Sequence, residues 1–167
     1  MKLPLTTFLV AMLFTCEAAV ALEQPKGAVV LTITGRLEHA NAQGGAAAFD
    51  REMLEALEGR AAEMTTPWTA GKVTFSGPLL RSVLAAAGAH GRTLVVRALN
   101  DYAAEVPFED AANLDTILAT RIGGEPMSIR DKGPSMLVYP FDKDPSLYNE
   151  RYFSRSVWQI KQIEVVE

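Results

Sequence analysis

Residues 72–106, KVTFSGPLLRSVLAAAGAHGRTLVVRALNDYAAEV, decide the fold because they predict a strand, a helix and two further strands in turn. Lys72 to Phe75 has the composition of a short strand. Ser76-Gly77-Pro78 predicts the start of the helix, since proline lacks an N–H and fits the first helical turn. Gly88 supplies the stop. One apolar face at helical spacing is expected to be buried, and it consists of Leu80, Val83, Leu84 and Ala87.

A hairpin follows this helix. Thr93–Leu99 is rich in β-branched and apolar residues, and Tyr102–Val106 alternates as a second strand. Asn100-Asp101 between them is typical of a turn. The strand–helix–hairpin order has no βαβ rhythm, so it favours an α+β architecture over a parallel α/β sheet.

The flanking sequence adds short elements of both kinds. Composition and turn signals predict strands at 28–34, 116–119, 136–139 and 157–166, helices at 49–57 and 107–113, and loops at 38–47, 65–69 and 141–156. Gly123-Gly124 predicts a tight turn with positive φ. We therefore expect a single α+β domain with about three short helices.

The first 21 residues predict a cleavable secretory signal peptide. Lys2 gives a positive start, an uncharged and largely apolar run follows from Leu3 to Thr15, and Ala19-Val20-Ala21 offers small residues for cleavage. A transmembrane anchor is the alternative, but the run is shorter than the roughly 20 residues that a membrane span needs. We predict a signal peptide at 1–21 and one domain at 22–167, periplasmic or secreted.

The only cysteine, Cys16, lies in this N-terminal segment. Cleavage after Ala21 leaves a chain without a disulfide, a thiolate metal ligand or a cysteine nucleophile. A lipoprotein would instead begin at a lipidated Cys16, and the bulky Phe14 and Thr15 before it disfavour that alternative.

Composition excludes several classes of protein. The net charge is −4 and the basic residues are scattered, so nucleic-acid binding is not expected. No second long apolar segment follows, so the domain is not expected to be embedded in a membrane. The chain lacks H-E-x-x-H, G-x-S-x-G and P-loop motifs, and His39 and His90 are predicted to be surface residues.

Five stretches in a fixed order carry a family resemblance: TFSGPLL at 74–80, ALNDYAAEVP at 98–107, GGEPM at 123–127, GPSMLVYP at 133–140 and VWQIKQIEV at 157–165. From Trp68 onward this order resembles the oxidoreductase molybdopterin-binding domain, the catalytic domain of the sulfite oxidase family, in its small, stand-alone, exported branch. The resemblance implies a mixed-sheet, barrel-like core and a cleft for a molybdopterin cofactor.

The resemblance also identifies positions where this chain departs from the family. Family enzymes hold molybdenum through a cysteine thiolate in the loop before Trp68, where this chain has Thr65 and Thr66. A hydroxyl is a harder and neutral donor, and so a poor substitute. The family's His and Arg around the Gly-Pro turn correspond here to Asp131 and Met136, which suit a cofactor phosphate poorly.

The residues expected to line a remaining cleft are Thr65, Thr66, Trp68, Asn100, Asp101, Tyr102, Arg130, Lys132 and Arg155. An equally good interpretation is that Asp101 only stabilises the turn and Tyr102 only packs against its neighbours, so that neither residue binds a ligand. Five basic residues could converge on one anion if the loops fold together, or they could be scattered and solvated. These residues are Arg121, Arg130, Lys132, Arg151 and Arg155.

Three hypotheses follow. The first is a non-catalytic periplasmic binding or accessory module that binds a small anionic ligand or a membrane-bound partner protein and needs no cofactor. The second is a molybdopterin-dependent oxidoreductase with an unusual site that lacks a thiolate. The third is a purely structural partner protein without a pocket.

Overall fold

The computed structural model describes residues 22–167. The predicted signal peptide and Cys16 lie outside these residues. In the described part of the chain, eleven strands and four α-helices follow in the order β1 Val29–Gly35, β2 Ala47–Asp50, α1 Arg51–Glu55, β3 Gly59–Thr65, β4 Lys72–Pro78, α2 Leu80–Ala86, β5 Thr93–Ala98, β6 Ala103–Pro107, α3 Phe108–Asn113, β7 Ile117–Ala119, β8 Arg121–Ile122, β9 Glu125–Pro126, β10 Met136–Val138, α4 Glu150–Arg155 and β11 Ile160–Val166. Three short 3₁₀ helices cover Gln43–Gly45, Ile129–Asp131 and Pro145–Leu147.

The largest sheet has five strands in the order β2-β1-β11-β5-β6. β1 pairs with β11 in parallel, and the other neighbours are antiparallel. The apolar face of α2 belongs to the same core cluster as the inward residues of β1 and β5, among them Leu31, Ile33, Leu94 and Val96. Leu80, Val83, Leu84 and Ala87 are all buried, so the predicted helix face is confirmed.

The remaining strands form an antiparallel sheet, β3-β4-β8-β9, and a pair, β7–β10. Backbone bridges Leu79–Ile117 and Met136–Trp158 connect these strands to each other and to the chain that enters β11. A second core cluster, which includes Phe75, Met136 and Tyr139, fills the space between them. The α+β fold class is thus confirmed, with four helices where about three were expected. None of the helices within residues 22–167 has the length and apolar character to cross a membrane.

Several element boundaries differ from the predictions. Pro78 ends β4 and does not open the helix, because Gly77 is pressed against β7: a Cβ there would lie 2.2 Å from the Leu118 carbonyl oxygen. Likewise Phe49 belongs to β2, since Asp50 caps α1 by accepting a hydrogen bond of 2.9 Å from the Met53 N–H.

Two elements in the second half of the fold were missed or displaced. The predicted loop 141–156 contains α4, which Asn149 caps through its side chain and the Arg151 N–H. The last strand begins at Ile160 and not at Val157, because Gln159 adopts a left-handed φ of 53° that breaks the extended run. β3 was not predicted as a strand. It forms because it pairs with β4 along its whole length.

Candidate functional site

A cavity of about 310 Å³ lies where three segments meet: the turn after β3, the β5–β6 hairpin, and α4 with the chain that follows it. Its lining consists of Trp68, Ala98, Asn100, Tyr102, Phe153, Ser154, Ser156, Val157 and Trp158. We call this cavity the Trp68 cleft. Both tryptophans of the protein line it.

Aromatic side chains form most of the wall. The Trp68 ring meets Phe153 edge-on at a centroid distance of 5.8 Å and Trp158 at 6.0 Å. Tyr102 is 50% exposed and Trp158 38%, which is unusual for such large apolar side chains. The Tyr102 hydroxyl donates a hydrogen bond of 3.2 Å to the Ser154 carbonyl, so it joins the hairpin to α4. The wall therefore presents ring surfaces to a ligand.

The hairpin turn has the geometry that its sequence predicts. The Asn100 side-chain oxygen accepts a hydrogen bond of 3.2 Å from the Tyr102 N–H, and Asp101 adopts a φ of 65°. The Asp101 carboxylate forms an ion pair with Lys161 at 2.6 Å, and the hydrogen bond from Lys161 lowers the pKa of Asp101. Asp101 supports the turn and is absent from the cleft lining, whereas Asn100 and Tyr102 contribute to it.

The two threonines at the expected metal position have structural contacts. Thr66 is buried, and its hydroxyl lies 2.9 Å from the Thr69 hydroxyl and accepts a bond of 3.3 Å from the Trp68 N–H. Thr65 is exposed at the end of β3, paired with Lys72. Neither threonine lines the Trp68 cleft; together they shape the turn that carries Trp68.

Arg155 does not lie in the cleft lining. Its guanidinium donates a hydrogen bond of 2.9 Å to Asp110 of α3, and the Tyr139 hydroxyl donates to the same carboxylate oxygen at 2.7 Å. Burial and the hydrogen bond to Asp110 raise the pKa of Tyr139 well above its usual value. This group, which we call the Asp110 cluster, links α4 to α3 and to Tyr139, which follows β10.

The Gly-Pro turn lies beside the cleft without lining it. Arg130 is exposed, and Lys132 adopts a φ of 70° and accepts a backbone hydrogen bond of 2.9 Å from Gln159. Asp131 is exposed and accepts a hydrogen bond from the Ser128 hydroxyl. Met136 is fully buried, so this position is part of the core and does not contact a ligand in the cleft.

The five basic residues considered for one anion site do not converge. Arg121 forms a two-point ion pair with Glu55, with both N–O distances 3.0 Å. This pair lines a separate cavity of about 450 Å³ between β3, β4 and the end of β7. Its other arginine, Arg60, is paired with Asp142, so both arginines of that cavity already have a carboxylate partner and it offers little to an anion. Of the two histidines, His90 is exposed, while His39 is partly buried with Nδ1 3.2 Å from the Ala86 carbonyl oxygen.

Sequence reasoning missed the α4 side of the cleft. Phe153, Ser154, Ser156 and Val157 were not among the expected site residues, and neither was Trp158. The available signal is the density of aromatic residues between 148 and 158, which core and loop packing also explains. Packing is indeed part of their role, because Phe153 also contacts Tyr148 and Phe141.

Comparison with known families agrees with the resemblance. Residues 49–167 match the family described as the oxidoreductase molybdopterin binding domain. The chain belongs to this family. No curated protein matches the chain. The match includes every residue of the Trp68 cleft, so the cleft is part of the molybdopterin-binding domain.

The residues of the cleft do not fit a molybdopterin held by a thiolate. No cysteine occurs in residues 22–167, and the lining carries neither an arginine nor a lysine to neutralise a phosphate. Within these same residues, no group of three or more His, Cys, Asp or Glu side chains is arranged to hold a metal ion. The Trp68 cleft thus has the walls of a binding site but not the donors that this cofactor requires.

Proposed function

We propose that this molybdopterin-binding-domain protein is exported and non-catalytic, and that it binds a small ligand in the Trp68 cleft. The observation that carries the proposal is the lining itself. Four aromatic side chains and three uncharged polar ones surround about 310 Å³ without a thiol, an imidazole or a cation. Such concave, mostly apolar sites with a few polar groups are typical of small-molecule binding.

Export is supported by the sequence of residues 1–21. The positive start, the short apolar run and Ala19-Val20-Ala21 form the three parts of a secretory signal. Removal of this segment leaves no thiol in the protein, because Cys16 is the only cysteine. A thiolate-ligated metal is then chemically unavailable to the mature chain.

Family membership favours a second candidate, a molybdopterin-dependent oxidoreductase with a thiolate-free site. In that case the cofactor would supply the redox chemistry, and the chain would have to hold it without a soft anionic ligand. The Thr66 hydroxyl is already hydrogen-bonded to Thr69, and the cleft lining is uncharged. Both features give this second candidate only weak support. A membrane-bound partner protein is a further alternative occupant of the cleft, for which the exposed Leu99 and Ile129 near Trp158 would provide apolar contact.

Cofactor content separates the two candidates. The protein should be purified after export from a host that makes molybdopterin, then assayed for molybdenum by elemental analysis and for pterin by fluorescence. A family enzyme prepared in the same way is the positive control. We expect no stoichiometric molybdenum and no pterin. One molybdenum per chain would reject the non-catalytic function and favour the oxidoreductase.

A further inference from the structure

We infer that the ligand of the Trp68 cleft is an amphiphilic aromatic anion, with its rings in the cleft and its negative group at the rim. This inference rests on the proposed ligand-binding function and specifies the class of ligand. It follows from a contrast between the apolar interior and the charges of the neighbouring segment.

The interior suits aromatic rings and not a free charge. The cavity of about 310 Å³ is at the small end of ligand pockets, large enough for two or three aromatic rings. Trp68 and Trp158 lie nearly perpendicular, with an interplanar angle of 81°, so they form two walls of a corner. Aromatic rings pack favourably in edge-to-face and offset arrangements, which such a corner provides.

The rim is basic although the whole chain is acidic. Residues 128–133 are joined to Gln159, beside Trp158, by two hydrogen bonds: its side-chain amide donates to Ile129 at 2.7 Å, and its N–H donates to Lys132 at 2.9 Å. This segment carries Arg130 and Lys132, and neither forms an ion pair with any residue between 22 and 167.

Two carboxylates near the cleft, Asp131 and Asp101, already have partners. Asp131 accepts a hydrogen bond of 2.8 Å from the Ser128 hydroxyl, and Asp101 forms an ion pair with Lys161. The Ser128 hydroxyl is neutral and does not cancel the charge of a carboxylate, so residues 128–133, with Arg130, Asp131 and Lys132, carry a formal net charge of +1 beside an apolar cleft. That combination is complementary to a ligand with an apolar body and an anionic group.

The backbone at the rim is also held in an uncommon conformation. Lys132 and Gln159 both have positive φ, 70° and 53°, and they are hydrogen-bonded to each other. Non-glycine residues in this region are uncommon and cluster at ligand-binding sites, where the surrounding structure maintains them. Here they keep the basic segment next to Trp158.

Two probes with the same rings test the inference. Anilinonaphthalene sulfonate is an aromatic anion, and phenylnaphthylamine is its neutral counterpart without the sulfonate. Binding to the intact exported protein can be followed by quenching of tryptophan fluorescence, which reports on the cleft because both tryptophans line it. We expect both probes to bind, the anion about threefold to tenfold more tightly, since the exposed Arg130 and the half-buried Lys132 each contribute modestly.

Variants separate the rim from the interior. Arg130→Gln with Lys132→Gln should remove the advantage of the sulfonate and leave the neutral probe unchanged. Lys26→Gln with Arg51→Gln is the matched control, because it removes the same charge at the opposite edge of the five-stranded sheet. Tyr102→Ala should weaken both probes. Near-UV circular dichroism must be retained in each variant, because partly folded proteins also bind the sulfonate probe.

The outcomes are distinguishable. Equal affinity for both probes, or a sulfonate advantage that survives Arg130→Gln with Lys132→Gln, would overturn the anionic ligand class while leaving a ligand cleft. Binding of neither probe, or binding that Tyr102→Ala does not alter, would contradict the proposed ligand-binding function itself. With the unmodified protein, added salt should weaken the binding of the anionic probe and not that of the neutral one. If salt leaves the affinity for the anionic probe unchanged, the inference is also overturned.

Discussion

The Asp110 cluster should make a larger contribution to stability than any ion pair on the surface, and two single substitutions test this. Tyr139→Phe removes one hydroxyl and keeps the ring, which packs against Tyr152 at a centroid distance of 5.0 Å. Arg155→Met removes the cation and keeps an unbranched side chain of similar length. Both substitutions leave the Asp110 carboxylate with one of its two partners.

The expected magnitudes follow from burial. The side chains of Arg155 and Asp110 are only 23% and 13% exposed, and Tyr139 is fully buried. A hydrogen bond to a charged group contributes about 1.5–3 kcal/mol, so Tyr139→Phe should lower the free energy of unfolding by that amount. Arg155→Met should lower it by about 2–3 kcal/mol, below the 3–5 kcal/mol of a fully buried pair because some water reaches the guanidinium.

Urea unfolding followed by far-UV circular dichroism measures both effects. Tryptophan fluorescence serves as the second probe, and coincident curves would establish two-state unfolding. Arg97→Met is the matched control, because Arg97 pairs with Glu164 at 3.4 Å on the surface and should contribute about 0–1 kcal/mol. If Arg155→Met is no more destabilising than Arg97→Met, or Tyr139→Phe leaves the midpoint unchanged, the cluster does not hold α4 as we describe.

Three further predictions concern the core, the pH dependence and export. Leu84→Ala should cost about 2–5 kcal/mol in urea unfolding because it leaves a cavity beneath α2, and a near-zero change would mean that Leu84 is not buried. Hydrogen bonds from Lys143 and Arg81 lower the pKa of Asp115 from 3.8 to about 2, so its stabilisation is present above pH 3.8 and is lost as the pH falls toward 2. Thermal unfolding of Asp115→Asn should therefore show a weaker loss over that range than the unmodified protein, and parallel curves would contradict the assignment. N-terminal sequencing of the exported protein should begin at Leu22, whereas an uncleaved chain or one beginning at a lipidated Cys16 would refute the predicted cleavage.

The sequence predicted those elements whose determinants are local. The β5–β6 hairpin formed where Asn100-Asp101 indicated a turn, and the buried face of α2 followed from helical spacing. The errors occurred where distant strands decide the conformation. β4 continues to Pro78 because it pairs with β3 and packs against β7, and no pattern within the stretch 72–78 reports on those neighbours.

The candidate site was predictable to a similar degree. Trp68, Asn100 and Tyr102 meet in one cleft, as the order of the family's motifs implied. Arg155 was misplaced because its position beside polar loop residues does not disclose that Asp110 accepts hydrogen bonds from both its guanidinium and the Tyr139 hydroxyl. Pairing partners separated by 45 residues depend on tertiary structure, whereas a turn or an aromatic cluster is visible in the chain itself.

The contacts around the Trp68 cleft explain how its walls are held in place. Each wall is fixed by residues outside the lining: Thr66 holds the Trp68 turn, Lys161 holds the hairpin through Asp101, and the Asp110 cluster holds α4. The polar lining residues are also tied to the scaffold, since Tyr102 donates a hydrogen bond of 3.2 Å to the Ser154 carbonyl and Ser156 one of 2.8 Å to the Tyr152 carbonyl. The aromatic lining and the basic rim carry the proposed specificity, because ring surfaces and the charges of Arg130 and Lys132 are what this region offers to a ligand.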